Sequence, residues 1–238
     1  MTGPVRFEIE HACASGSSRL GRVETLHGSF HTPVFMPVGT KGTIKGLLPA
    51  LVEDLGSEII LNNAYHLLLR PGDELVASMG GVHSFMCWDR PILTDSGGFQ
   101  AWSMADHNKL DDDGVIFRSI VDGARIHLSP ERSIEIQNNL GADIIMAFDD
   151  CPPSTSGPSD HIDANRPSLG RAHQKQVGQD HRQRLADAVD RTARWLERCV
   201  SAHRRPDEQA LFGIVQGGPD HDLRKRSIEQ ITNIDLPG

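Results

Sequence analysis

Asp95 stands at the end of a short apolar run and directly before a glycine pair and an aromatic, in the stretch Ile92-Leu93-Thr94-Asp95-Ser96-Gly97-Gly98-Phe99-Gln100. A carboxylate delivered by the end of a buried strand can take a proton or a hydrogen bond from a polar ligand. Gly97 and Gly98 would leave their backbone N–H groups open to close approach by a flat or anionic ligand. Phe99 adds a π-face for stacking a base, and Ser96 and Gln100 add a hydroxyl and an amide. The same residue types also form an aspartate-capped turn. The cluster gains weight only if other strands deliver polar groups to the same place.

Three other apolar runs also end on a polar residue. Asn63 follows Ile59-Ile60-Leu61-Asn62, Asp149 follows Ile144-Ile145-Met146-Ala147-Phe148, and Gln216 follows Leu211-Phe212-Gly213-Ile214-Val215. Glycines sit beside these ends at Gly39, Gly97, Gly98, Gly217 and Gly218. In an α/β barrel the C-terminal strand ends converge on one face, where ligand-binding side chains collect. Two carboxylates there can divide labour, one moving a proton and the other accepting from a polar substrate edge. Adjacent N–H donors on a guanine-like edge suit a carboxylate, Gln216 suits a ring carbonyl, and Phe99 or Met146 would cover the ring faces. Met146 reads equally as a core residue.

Residues 7–35 break into short strand-like pieces around Ser15-Gly16-Ser17-Ser18 and His27-Gly28, an antiparallel meander occupying residues 1–33. Strands are then expected over residues 34–39, 59–63, 92–95, 143–149 and 211–216. Pro49 and Gly56 bracket a short helix, and Ser129-Pro130 begin another that runs to Leu140. A longer amphipathic helix carries Leu185, Val189, Leu196, Cys199 and Val200 on one stripe. Buried strands alternating with helices indicate parallel strands in an α/β barrel or an open doubly wound sheet. Asp122-Gly123 turns an extra hairpin between residues 115–119 and 124–128. Residues 152–178, rich in Pro, Ser, Gly and His, read as a flexible insertion.

At 238 residues, 38% hydrophobic and 24% charged, the chain suits one large domain. No apolar stretch reaches the roughly 20 residues of a membrane span, and the N-terminus has no apolar signal core, so a cytoplasmic protein without a membrane partner is expected. The four cysteines are far apart and the twelve histidines include no His-x-x-x-His helical pair, so no metal site of the chain's own is expected. A net charge of −8 argues against indiscriminate nucleic-acid binding. Arg182, Arg184, Arg191, Arg194 and Arg198 could form a local phosphate-contacting face. The interspersed Asp187, Asp190 and Glu197 give the simpler reading of a solvated helix exterior.

Longer motifs carry a resemblance. Thr32-Pro33-Val34-Phe35-Met36-Pro37-Val38-Gly39-Thr40, Asn63-Ala64-Tyr65-His66-Leu67, Trp88-Asp89-Arg90-Pro91-Ile92-Leu93-Thr94-Asp95-Ser96-Gly97-Gly98-Phe99-Gln100, Ser129-Pro130-Glu131-Arg132-Ser133, Met146-Ala147-Phe148-Asp149-Asp150-Cys151 and Leu211-Phe212-Gly213-Ile214-Val215-Gln216-Gly217 resemble the bacterial tRNA-guanine transglycosylases. The resemblance implies an irregular TIM (β/α)8-type barrel that exchanges the wobble guanine of certain tRNAs for a 7-deazaguanine precursor of queuosine. By it, Asp95 is the proton acceptor and binds the incoming base, Asp149 and Gln216 recognise the base edge, and Phe99 stacks on it. Val38 matches a position associated with 7-aminomethyl-7-deazaguanine. tRNA and the deazaguanine are the implied partners, with a homodimer or a complementary C-terminal polypeptide beside them.

The chain resembles only the front part of such a barrel, about five βα units in a single domain. The family's ribose-attacking aspartate, its glycine-leucine substrate loop and its Cys/Cys/Cys/His zinc ligands lie past the position of Gly238, so no cofactor is expected from this chain. Other readings stay open: a non-catalytic base-binding or partner subunit, an inactive fragment, and a hydrolase that uses Asp95 and Asp149 as an acid–base pair on a sugar.

Overall fold

The computed structural model describes residues 3–103, 109–153 and 181–238. Residues 154–178 of the expected insertion lie outside this set. The N-terminal meander forms as a three-stranded antiparallel sheet of β1 (Arg6–Ala12), β2 (Arg19–Thr25) and β3 (Gly28–Thr32). Val23 and Phe30 point to one side of it and pack with Ile59, Ile144 and Ala210. Those three residues open strands of the main sheet or directly precede them, so the meander covers the N-terminal strand ends.

The main sheet contains β4 (Val38–Gly39), β5 (Ile60–Asn62), β6 (Ile92–Thr94), β10 (Ile144–Met146) and β11 (Ala210–Phe212), in the order β11-β10-β6-β5-β4. All four pairings are parallel. Successive strands step in one direction without a reversal, which distinguishes this sheet from the doubly wound alternative. Each strand is shorter than its apolar run suggests. Val34 to Pro37 lie outside the ladder, and Ala147 and Phe148 are fully buried beyond the end of β10.

Helices cover the sheet. α1 (Pro49–Asp54) starts on its proline, as expected. α2 (Ala64–Leu69), α3 (Asp73–Ser78) and α4 (Gly81–Met86) fill the β5–β6 crossover. They are six residues each, too short to show a helical period in sequence. Gly72 and Gly80, at φ of +107° and +90°, separate them. α5 (Gly98–Ser103) follows β6, and then β7 (Lys109–Asp111), β8 (Gly114–Arg118) and β9 (Arg125–Leu128) form a second antiparallel sheet, with the expected Asp122-Gly123 turn between its last two strands.

α6 (Pro130–Leu140) is N-capped by Ser129, whose hydroxyl accepts the Arg132 N–H, and ends on Gly141 in the left-handed conformation. α7 (His181–Ala202) is the long amphipathic helix, and α8 (His221–Thr232) follows β11 with Asp220 as its N-cap. The core includes Trp88, Trp195, Tyr65, Phe117 and Phe148. Phe148 and Trp195 lie 4.8 Å apart between ring centroids, joining the chain after β10 to α7. Among the described residues no helix is long and apolar enough to cross a membrane.

Candidate active site

Asn63 directly follows β5 and does two jobs. Its side-chain oxygen caps α2 by accepting the His66 N–H at 3.1 Å, and its amide nitrogen donates to the Asp95 carboxylate. Asp95, directly after β6, also accepts the backbone N–H groups of Ala64 at 3.0 Å and Gly97 at 3.1 Å. Burial pushes its carboxyl up to about 6, against the pull of these backbone donors. The group therefore titrates close to neutrality while its orientation is fixed by three N–H groups.

Asp149 lies three residues past β10 and Gln216 four residues past β11. Gln216 donates from Nε2 to Asp149 at 2.7 Å, and the Ser96 hydroxyl lies 3.4 Å from the other carboxylate oxygen. Gln216 is itself buried, and its backbone N–H donates to the Ser227 hydroxyl of α8 at 2.9 Å. Burial first, then the adjacent Asp150 charge, push the Asp149 carboxyl up to about 7, and Asp95 adds to the effect. The strand ends thus bring together Asp95, Ser96, Asp149 and Gln216, with Asn63 behind Asp95. Two carboxyls titrating near neutral pH suit proton exchange with a polar heterocycle.

The glycine pair works differently from the expectation. The Gly97 N–H is spent on Asp95 and the Gly98 N–H on the Ser96 hydroxyl, at 3.1 and 3.3 Å, so neither stands open to a ligand. Gly97 has φ of +75°, and a Cβ there would lie 3.0 Å from the Tyr65 nitrogen. A Cβ at Gly98 would lie 3.1 Å from the Asp149 carbonyl oxygen. The pair allows the Asp95 turn to close against α2 on one side and the Asp149 segment on the other. Phe99 is 52% exposed on α5, an open ring rather than a core residue. Met146 packs among Leu93 and Phe212, as its core reading has it.

Supporting residues on α6 escaped the sequence reading. Gln137, fully buried, accepts the Thr94 hydroxyl at 3.1 Å and the Met146 N–H at 2.9 Å, and donates to the Met146 carbonyl at 2.9 Å. It stitches β6 to β10 just below Asp95 and Asp149. Ser133 donates to the Ser96 carbonyl at 2.7 Å. The signal in the sequence is a glutamine and a serine four residues apart among Ile134 and Ile136, polar groups on an otherwise buried helix face.

Asp150 points away from the pocket and is 1% exposed. Arg184 engages it with both terminal nitrogens and Arg191 with one, while its N–H donates to the Thr192 hydroxyl at 3.1 Å. Arg191 also reaches Asp112 at 3.1 Å, joined there by Arg194 at 2.8 Å, and Arg198 pairs with Glu131. Arg182 pairs with Asp220 at 2.9 Å. Arg184 and Arg191 are therefore inward-facing ties, whereas Arg182 and Arg194, 61% and 51% exposed, keep the solvated character of a helix exterior. Together the arginines tie the helix to the Asp149 segment, the β7–β8 turn and α6. His27, His83 and Asp143 also converge, from segments too far apart for spacing to reveal.

A one-directional parallel sheet with carboxylates and an amide gathered at its C-terminal strand ends is the arrangement in which α/β domains place ligand sites. The sequence profile of the family described as "Queuine tRNA-ribosyltransferase" matches residues 13–177 and 174–238. The queuine tRNA-ribosyltransferase of Lysinibacillus sphaericus is 48% identical over 239 residues, covering 100% of this chain and 56% of that protein. The Geobacillus thermodenitrificans protein of the same name is 49% identical over 238 residues, with the same coverage, and that of Acetivibrio thermocellus is 47% identical over 234 residues, 98% of this chain and 56% of its own. The chain belongs to the queuine tRNA-ribosyltransferase family, and it spans about half the length of the curated relatives it matches.

Proposed function

We propose that the chain carries the base-recognition part of a tRNA-guanine transglycosylase, a pentosyltransferase that exchanges the wobble guanine of tRNA for 7-aminomethyl-7-deazaguanine on the way to queuosine. The observation that carries this reading is the contact of Asp149 with Gln216 and Ser96, beside Asp95, at the strand ends of a family member. Asp149, as the anion, accepts from the adjacent ring and exocyclic N–H groups of a guanine-type edge. Gln216 gives one N–H to Asp149 and keeps the other for the ring carbonyl. Phe99 stacks on the exposed face of the base, and Asp95 takes the proton that the incoming base must lose. A carboxyl near 6 is suited to that exchange at neutral pH.

The sheet order fits five successive βα units of an irregular (β/α)8 barrel. By family resemblance, the carboxylate that attacks the ribose carbon and the zinc ligands belong to the part of the relatives that this chain does not match. Base recognition and the covalent step therefore divide: the base pocket is here, and the covalent ribosyl step needs the remainder. A cytoplasmic setting follows from the tRNA substrate.

The test is incorporation of labelled guanine into unmodified tRNA by the chain alone and by the chain mixed with a polypeptide holding the remaining part of a relative. Exchange in the mixture supports the transglycosylase reading. A folded chain that binds the deazaguanine with no exchange in either arm supports a base-binding subunit instead. Hydrolysis of a nucleoside or glycoside by the chain alone would revive the sugar-hydrolase reading.

A further inference from the structure

At the opposite end of the sheet from Asp149, three side chains meet. His27 lies in the turn between β2 and β3, His83 on α4, and Asp143 directly before β10. Their potential ligand atoms all fall within 4.8 Å of one another. One Asp143 oxygen is 2.8 Å from His27 Nδ1, and the other is 3.1 Å from His83 Nε2. The two imidazoles stack with centroids 3.6 Å apart, so both present a nitrogen to the same carboxylate.

The carboxylate does not depend on the imidazoles for its orientation. One oxygen accepts the His27 backbone N–H at 3.3 Å and the other the Ile92 N–H at 2.9 Å. These two bonds persist if the imidazole protons are replaced, and they supply the outer support that metal-bound carboxylates require. The Asp143 and His83 side chains are 1% and 11% exposed, a fixed half, whereas His27 at 41% is free to adjust on its turn. Both histidines line an open groove of about 1390 Å³, which gives an ion access and leaves room for a water ligand.

We propose that His27, His83 and Asp143 bind one divalent transition-metal ion of the Zn2+ type, which fastens the β2–β3 turn to the base of the main sheet. Two imidazoles and a carboxylate match Zn2+ in softness and number, with a fourth position for water, whereas Mg2+ and Ca2+ prefer all-oxygen sets. Metal–ligand bonds of about 2 Å place tetrahedral ligand atoms roughly 3.4 Å apart, so the rings leave their stack and His27 swings inward. Where the facing nitrogen carries a proton, His27 shifts it to Nε2 and His83 to Nδ1 through solvent. Each ring stays neutral and no proton is released. This site is separate from the Cys/Cys/Cys/His ligands that the resemblance places outside the chain.

Co2+ and Zn2+ titrations of the whole chain test the proposal. One equivalent of Co2+ should give ligand-field bands without the charge-transfer band of a thiolate, and Zn2+ should displace it. His27→Ala and His83→Ala should each weaken binding at least about tenfold. His31→Ala, which alters a surface histidine paired with Glu58, should leave it unchanged. Zn2+ should also shield His27 and His83 of the unaltered chain from diethyl pyrocarbonate, located by mass spectrometry, a measurement that does not rely on the variants folding. A folded chain that takes up no Co2+, binding that survives both alanine substitutions, or unshielded histidines in saturating Zn2+ would overturn the proposal and leave the cluster a hydrogen-bonded clasp.

Discussion

Asp95 and Asp149 are neighbours with different supports. Three N–H donors hold Asp95, while Asp149 rests against an amide and a hydroxyl with the Asp150 charge behind it. A guanine-type edge offers donors, so binding requires the anions. With the two carboxyls at about 7 and about 6, deazaguanine affinity should fall as pH is lowered through that range. The fold should respond with the opposite sign. Both carboxyls titrate higher in the folded chain than the ordinary 3.8, so the folded state holds extra protons between about 4 and 7, and these two groups add stability as pH falls through that window. Calorimetric binding and urea melts, run side by side between about pH 5 and pH 8, separate the two effects. Asp149→Asn should weaken base binding by about 10- to 100-fold, the value of a hydrogen bond to a charged group, and flatten the pH dependence near 7. Unchanged affinity would place the base elsewhere. The strand-end rule made Asp95, Asp149 and Gln216 legible. It misjudged Gly97 and Gly98, because a glycine needed for close packing looks the same in sequence as one needed by a ligand.

At the scale of elements, the β–α alternation, the cap at Ser129, and the Asp122-Gly123 turn were readable because each depends on local chemistry. Strand lengths were not, since burial continues past the end of β10 at Ala147 and Phe148. The role of Arg184 and Arg191 was also hidden, because their carboxylate partners come from other segments. Asp150 is the most demanding of these partners, being a buried charge held by Arg184 and Arg191. Arg184→Met should cost about 3–5 kcal/mol in urea unfolding by leaving that charge underpaired. Asp150→Asn added to it should restore a large part of the loss, while a loss under about 1 kcal/mol for the single variant would show that Arg191 alone suffices.

For the whole molecule, the order of the parallel strands is simple, and among the described residues each edge strand has a strand partner on one side: β4 pairs only with β5 and β11 only with β10. Leu48, Leu51 and Leu55, on and around α1, are 69%, 46% and 73% exposed. Unpaired edges and exposed leucines favour association. The 238-residue chain on its own should therefore show a scattering mass that rises with concentration, and a polypeptide holding the remaining part of a relative should convert it to a defined complex. A concentration-independent monomer with a sharp, reversible melt would contradict this expectation.

The meander sits over the N-terminal strand ends, and the candidate site with Asp95 and Asp149 lies at the other end of the same sheet. Cys13, exposed in the loop between β1 and β2, has its thiol drawn below the ordinary range by the Ser15 hydroxyl, which raises its thiolate fraction at neutral pH. Attachment through that sulfur to a sensor chip or a fluorophore would tether the protein by its far side and leave that site facing the solution.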